Sequence, residues 1–380
     1  MEGSVVVLGG YGQTGRRIAG PLAARTSLPI VVAGRNGDRA AAVAERLCRL
    51  RNGAPVEARS VDAAEPKRLR DLVAGARLLV DATSSEVPVD SIARTALEAG
   101  VDLVEVRFPS PGPGDLVGIE AEAVAADRCI VLQAGFHPGV PAALVRWAGA
   151  RVDELESAWV AGLLRQRGGI PLTPAVDDLI QSFRHYRAHV FCDGSWRKAR
   201  WWDPGSFPRV NFDFDFGLRR TSPMDLDELR DLPVWFPSLR RLGFSVAGFD
   251  PVTDWLIAPA VVAALPLFGS RSVRPLSRML CWSTRTFGRP PCGVVVQLHA
   301  RGRRAGTPVH LALSMLHADG YALTAIPVVS MIEQLLDGTA RRPGVHLMGL
   351  LTDPDRLLAD VAAMGVKVRL RGPVEESRVG

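Results

Sequence analysis

Gly10-Tyr11-Gly12-Gln13-Thr14-Gly15 follows the β-branched run Ser4–Gly9 and opens a stretch of helical period, Gly15–Ala24. The pattern is G-x-G-x-x-G, and its spacing has a physical reading. A first glycine makes a tight turn, a second lets backbone approach a pyrophosphate, and a third lets helix pack on strand. The helix then presents free N–H groups and the positive end of its dipole to an anion. Glycine is common here, 37 of 380 residues, so the pattern alone is weak. Its context is the stronger signal, because strand, loop, helix and a second apolar run, Leu28–Ala33, fall in register. A dinucleotide site is expected at Gly10, Tyr11, Gly12, Gln13, Thr14 and Gly15.

The second strand ends at Ala33-Gly34-Arg35-Asn36, where an NAD site usually places Asp or Glu on the ribose 2′-hydroxyl. No acid stands there. Arg35, with Asn36 beside it, offers instead a charge-assisted fork for a 2′-phosphate, so NADP(H) is expected over NAD(H). Asp62 ends the third strand, where it either reaches the adenine side or caps the next helix. Asp81-Ala82-Thr83 closes the fourth strand at the expected ligand crevice, with Ala82 and Thr83 as binding candidates and Asp81 as a cap or ion-pair partner.

Apolar runs alternate with Ala/Arg-rich helical stretches throughout residues 1–150: Val56–Val61, Leu78–Ala82, Val101–Val106 and Ile130–Gln133 are the further strands. That alternation predicts right-handed βαβ units and a doubly wound, Rossmann-type parallel sheet. From 151 to 325 the texture changes. Glu156–Leu164, Gly293–Ala300, Val309–Leu316 and Gly320–Ala325 read as longer strands, and Pro174–His189 as a helix, so an α+β substrate and dimerisation domain with a mostly antiparallel sheet is expected. Residues 326–380 read as α/β again and are expected to return to the first domain.

Composition narrows the function. The chain carries 46 basic and 40 acidic residues, a net charge of +6 that is too mild for a nucleic-acid footprint. Only Lys67, Lys198 and Lys367 are lysines, a bias that points to a bacterial, GC-rich source. Five cysteines without C-x-x-C fit a reducing cytoplasm rather than disulfides or structural zinc. No signal peptide is expected, and the longest uncharged run, Trp255–Ser270, is too short to span a bilayer and holds two prolines. The apolar part of that run, Trp255–Phe268, is expected as buried core or a dimer interface. A cytoplasmic homodimer acting on a small molecule is expected, without nucleic acid, metal or integral membrane association.

The quoted residues also carry a resemblance. Val7–Gly15, Gly34-Arg35-Asn36, Gly135-Phe136-His137-Pro138-Gly139 and, near the end, Thr324–Pro327, Leu335–Gly338 and Asp353-Pro354 resemble the saccharopine dehydrogenase-like oxidoreductases, over residues 4–150 and 293–370. The resemblance implies NADP(H) binding in the first domain and hydride transfer to or from an imine or secondary amine of opine or polyamine type. It also implies a place for Gly135 beside the cofactor. The saccharopine and carboxyspermidine branches carry Asp in the G-x-D-P-G turn, whereas this chain has His137.

His137 is the single catalytic candidate, since an imidazole titrating near neutrality could protonate a developing amine or oxyanion. A Tyr-x-x-x-Lys dyad is excluded, because Gly15, Val190 and Ala325 stand four residues after the three tyrosines. Cys129 reads as a small buried hydrophobe. His185 and His189 have the spacing of a two-histidine metal face but lack a third ligand, and Arg197, Lys198, Arg200, Trp196, Trp201 and Trp202 read as a solvated face with aromatic anchors. Two rivals stand beside the imine reading: reduction of a C=C or C=O in a larger apolar substrate, and a non-catalytic NADP(H) sensor.

Overall fold

Strands of four or five residues, buried on both faces except at the polar edge strand Val56–Ser60, are the units from which the first sheet is built. The computed structural model describes residues 3–50, 55–84, 87–107, 112–200, 202–203 and 205–375. Its contacts divide the chain into two units, one of residues 1–139 with 324–364 and one of residues 140–323 with 365–380.

In the first unit, β1 (Val5–Leu8), β2 (Ile30–Gly34), β3 (Val56–Ser60), β4 (Leu78–Asp81), β5 (Asp102–Glu105) and β6 (Cys129–Leu132) alternate with α1 (Gly15–Arg25), α2 (Gly37–Leu50), α3 (Pro66–Val73), α4 (Val89–Glu98) and α5 (Val117–Ala125). All pairings are parallel, in the order β6-β5-β4-β1-β2-β3, with strand Gly344–Leu347 added outside β6. The order reverses at β1, which pairs β2 on one side and β4 on the other. Ligands of doubly wound sheets bind at that reversal, outside the carboxyl ends of the strands. Val6, Leu8, Val31, Leu79, Leu103 and Ile130 pack with the helix residues Leu69, Ile92 and Ile119 in one cluster.

The second unit centres on an eight-stranded mixed sheet. Glu154–Arg165 pairs antiparallel with Gly293–Arg304, which continues to Thr307–His317 and then Lys367–Glu375. On its other side Glu154–Arg165 runs parallel to Arg241–Ala247. Helices Pro174–Ser182, Ala258–Phe268 and Val273–Phe287 share a separate apolar cluster holding Ile180, Val261, Leu265 and Leu280.

Several expectations are corrected. The first unit gives way to the second after Gly139 rather than at 150. The C-terminal segment returns to the first unit only through Met364, because Lys367–Glu375 pairs with Thr307–His317 in the second sheet. Gly320–Ala325 is helical, within Gly320–Leu336, since the Asp319 carboxylate accepts from the N–H groups of Tyr321 and Ala322 and starts a helix. The expected helix Pro174–His189 ends at Ser182, and His189 lies in a strand with its Nδ1 2.9 Å from Asp225. His185 and His189 therefore form no helical pair. Trp201 lies outside the described residues. Trp255–Phe268 is helical, but only one side of it is core: Trp255, Leu256, Leu267 and Phe268 are exposed.

Candidate functional site

The carboxyl edge of the parallel sheet gathers the loop after β1 with the ends of β2, β4, β5 and β6. Four glycines shape that loop. Gly9, not Gly10, takes the left-handed turn, with φ +74°, and a Cβ there would stand 2.6 Å from the Ala82 carbonyl oxygen. A Cβ on Gly10 would meet the Val7 carbonyl at 2.7 Å, and one on Gly15 the Gly9 carbonyl at 2.3 Å. Gly12 differs, because its Cβ would touch only the Gly9 carbonyl, at 3.0 Å, and otherwise enter open space. Three glycines thus pack the loop against the sheet, and Gly12 leaves a backbone surface bare for a ligand.

The loop is also prepared for negative charge. Among the described residues nothing accepts from the N–H groups of Gln13, Thr14 and Gly15. The first turn of α1 has no acid, and Thr14 makes no side-chain cap. It carries instead Arg16 and Arg17, whose guanidinium groups donate to the Gln13 side-chain oxygen at 2.6 and 2.8 Å. Two cations at a helix N-terminus oppose the dipole unless an anion joins them. Bare backbone, unused N–H groups and paired arginines all suit the pyrophosphate of a dinucleotide.

Tyr11 spans from this loop to the end of β2. Its ring fills the space over Gly34, where a Cβ would come within 2.6 Å of the ring, and its hydroxyl accepts from the Asn36 N–H at 3.2 Å. Asn36 is occupied as well, its side-chain oxygen accepting from the Arg39 N–H at the start of α2. Arg35 is exposed, and its carbonyl accepts from the Ser60 hydroxyl. Arg39, which the sequence reading missed, lies 4.6 Å over the Tyr11 ring. Its spacing four residues after Arg35, on the first turn of the helix that begins at Gly37, was the available signal. Arg35 and Arg39 are thus two exposed cations near the end of β2, of the type that grips a phosphate.

At the other strand ends the candidates divide. The Ala82 N–H donates to the Leu8 carbonyl, which fixes Ala82 beside Gly9 in the crevice. Thr83 turns its hydroxyl and N–H to one oxygen of the buried Asp81, at 2.7 and 3.1 Å. Burial pushes the Asp81 carboxyl up, and Arg107, 3.7 Å away, works against that rise. Asp62 accepts from the Ala64 N–H and forms a turn ahead of α3, so its carboxylate serves the backbone.

Gly135 and His137 lie in the turn after β6. The turn hangs on Glu105 at the end of β5, a buried carboxylate that accepts from the N–H groups of Gln133 and Arg107 at 3.1 and 2.7 Å. A Cβ on Gly139 would stand 2.6 Å from the Gly135 carbonyl, so the turn closes tightly on itself. The His137 ring packs edge-on against Phe136 with centroids 3.8 Å apart. Burial lowers its pKa to about 4, so the imidazole is neutral at physiological pH. An imidazolium acid titrating near neutrality, as the sequence suggested, is not what this environment makes. Cys129 is buried too, its thiol pushed up to about 11 and held inert.

Residues 5–128 match the family model of the saccharopine dehydrogenase NADP binding domain. No curated protein sequence matches the chain. Among solved structures, saccharopine dehydrogenase (L-Glu forming) from Saccharomyces cerevisiae aligns with a TM-score of 0.68 at 15% identity, covering 97% of this chain and 100% of that one. Biliverdin reductase from Synechocystis sp. PCC 6803, solved with biliverdin and NADP+, aligns at TM-score 0.39 and 13% identity over 95% of this chain and 98% of that one. A dehydrogenase from Chromobacterium violaceum gives 0.42 and 12% over 96% and 97%. The first likeness extends the shared fold over almost the whole chain, and the other two carry no weight. Family match and fold together support an NADP-binding domain at the carboxyl edge of the first sheet. Residues 5–128 are similar to the saccharopine dehydrogenase NADP binding domain, and the chain shares the fold of saccharopine dehydrogenase.

Proposed function

We propose that the protein reduces an uncharged C=C or C=O bond in a largely apolar substrate, using NADPH. The bound nicotinamide supplies a hydride to carbon, and the proton that completes the reduction comes from solvent. Gly12 and the α1 N-terminus hold the pyrophosphate, Arg35 and Arg39 the 2′-phosphate, and Ala82 and Gly135 line the crevice. His137 is the observation that carries the substrate class. The half-buried imidazole packs edge-on against Phe136, and burial that lowers its pKa to about 4 also disfavours a cationic iminium beside it. A neutral imidazole can instead orient an oxygen that gains charge as hydride arrives.

The imine or secondary-amine acceptor of opine or polyamine type is the second reading. It draws on Glu105, whose buried carboxylate under the His137 turn would stabilise such a cation. A homodimer working on a small molecule belongs to either reading.

Absorbance of NADPH followed with two substrate panels separates them. Oxidation with α,β-unsaturated acyl thioesters or long-chain ketones, and none with 2-oxo acids plus amines, is expected; the reverse pattern assigns the imine reading. His137→Asn is expected to lower kcat about tenfold or more while NADPH affinity is kept. The wild-type rate is expected to stay level between pH 6 and 8, because the imidazole titrates near 4. A limb near neutrality that disappears in the variant would restore the general-acid role.

A further inference from the structure

The segment Thr253–Phe268 is largely apolar and packs through only a narrow stripe. Thr253, Val261 and Leu265 are fully buried or nearly so, and the last two join the apolar cluster of the second unit with Ile180 and Leu280. The segment also carries Trp255, Leu256, Val262, Leu267 and Phe268, exposed by 59, 66, 38, 77 and 68%. Single exposed apolar residues need no explanation, but five along one short helical segment that buries only a narrow stripe mark an interaction surface. A soluble surface helix would be polar there.

The charge around this face is one-sided. Residues 251–290 contain Arg271, Arg274, Arg278, Arg285 and Arg289 against Asp254 alone, so five positive charges less one negative give +4 of the chain's net +6. The Asp254 carboxylate is engaged with the Phe249 N–H at 2.8 Å. On the next helix, Val273–Phe287, the exposed residues Arg274, Arg278, Trp282 and Arg285 recur every three or four positions and form one stripe, which Arg271 extends just before it. Arg274 pairs with Asp177 at 2.7 Å, whereas among the described residues Arg271, Arg278 and Arg285 have no ion pair. Arg220 lies 5.3 Å over the Trp255 ring.

These features select the occupant. The helix has 11 residues, about 16 Å of rise, against a hydrocarbon core of about 30 Å. No helix of the described residues is long and apolar enough to cross a membrane. A second copy meeting this face across a two-fold axis would set +4 against +4. An anionic lipid surface offers both what the tryptophans, Leu267 and Phe268 lack and what the arginines lack. Apolar segments flanked by basic residues lie in the interfacial plane, and each basic residue near such a surface adds to the attraction.

We propose that the Trp255–Phe268 face and the neighbouring arginine stripe dock the protein peripherally on an anionic lipid bilayer. The proposal stands apart from the choice of hydride acceptor. It would place the second unit at the surface of the membrane without spanning it.

Cosedimentation of the full chain with vesicles tests this, using phosphatidylcholine alone and phosphatidylcholine with a minor share of phosphatidylglycerol. Binding is expected to be about tenfold or more tighter to the anionic vesicles and to weaken with added salt. The double variant Leu267→Ser, Phe268→Ser is expected to lose binding to both vesicles. The double variant Arg271→Glu, Arg278→Glu is expected to lose the preference for phosphatidylglycerol. NADPH affinity, measured on each variant, should stay at the wild-type value and shows that the chain is folded. Three results would overturn the proposal: no binding to either vesicle, binding that both variants keep, or a dimer in sedimentation equilibrium that Leu267→Ser, Phe268→Ser dissociates while vesicles stay unbound. The last would assign the face to a second copy of the chain.

Discussion

In the first unit every strand from β1 to β6 has four or five residues and is followed by a helix or a helical turn, whereas the central strands of the second unit run to 11 or 12 residues and turn back through hairpins or long excursions. The consequence is one of direction. Parallel strands joined by crossovers send all their carboxyl ends to one edge, so the loops that follow them converge whatever their sequences. Antiparallel pairing distributes loops to both ends and offers a face instead of an edge. The cofactor site is therefore implied by topology, whereas the second sheet offers no such common edge.

The sharpest way to break that contrast is at Gly12. Its missing Cβ meets only the Gly9 carbonyl, at 3.0 Å, so Gly12→Val is expected to leave the fold standing while filling the place where a pyrophosphate must approach. Loss of NADPH binding by about a hundredfold or more, with an unchanged melting temperature, is the expected result in calorimetry. At Gly15, where a Cβ would come within 2.3 Å of backbone, the same experiment should cost stability as well. If Gly12→Val still binds NADPH normally, the phosphates are held elsewhere and the edge argument fails.

A smaller effect is expected at the end of β2. Arg35→Ala is expected to weaken NADPH binding about tenfold, or about 1.4 kcal/mol, and to leave NADH binding nearly unchanged. Arg39→Ala should lower the preference further, because it brings the second cation to the same place from above the Tyr11 ring. Equal affinities of the wild type for NADH and NADPH would remove the 2′-phosphate from the picture.

How legible each region was in the sequence follows from the same contrast. A buried parallel strand reads as a continuous apolar run, and Val5–Leu8, Ile30–Gly34 and Leu78–Asp81 are such runs between helices of 3.6-residue period. Local pattern and fold agree there, so the loop, Arg35 and Thr83 could be located without coordinates. What pattern could not supply was burial. His137 looked like a neutral-pH acid because its ordinary pKa is near 6.5, and partial burial in the turn lowers it to about 4. Gly320–Ala325 misled in another way. Its β-favouring tyrosine and apolar residues suggested a strand, but Asp319 caps two N–H groups and commits the chain to a helix. Trp255–Phe268 reads from hydropathy as buried core or a dimer interface, because hydropathy reports what a segment buries well and not which side of it the chain itself covers.

The second unit can be probed where it hides a charge. Asp254 accepts from the Phe249 N–H at 2.8 Å, and a Cβ on Gly248 would overlap its carboxylate, so the group is closely enclosed. Burial raises its pKa to about 6, the nearby Asp250 adds to the rise, and Arg165 opposes it. A carboxyl whose folded pKa lies above its unfolded value favours folding when protonated. Its contribution is complete below about pH 4 and is lost as pH climbs through 6, so the ionised group is a burden at pH 7. A shift of about two units sets a ceiling of about 3 kcal/mol, which partial exposure reduces to about 1. Asp254→Asn keeps an acceptor for Phe249 and cannot ionise. It is expected to raise stability by about 1 kcal/mol at pH 7 and by nothing at pH 4, in denaturant melts at both pH values. A variant less stable than wild type at pH 7 would mean that the fold needs the carboxylate in its charged form beside Arg165.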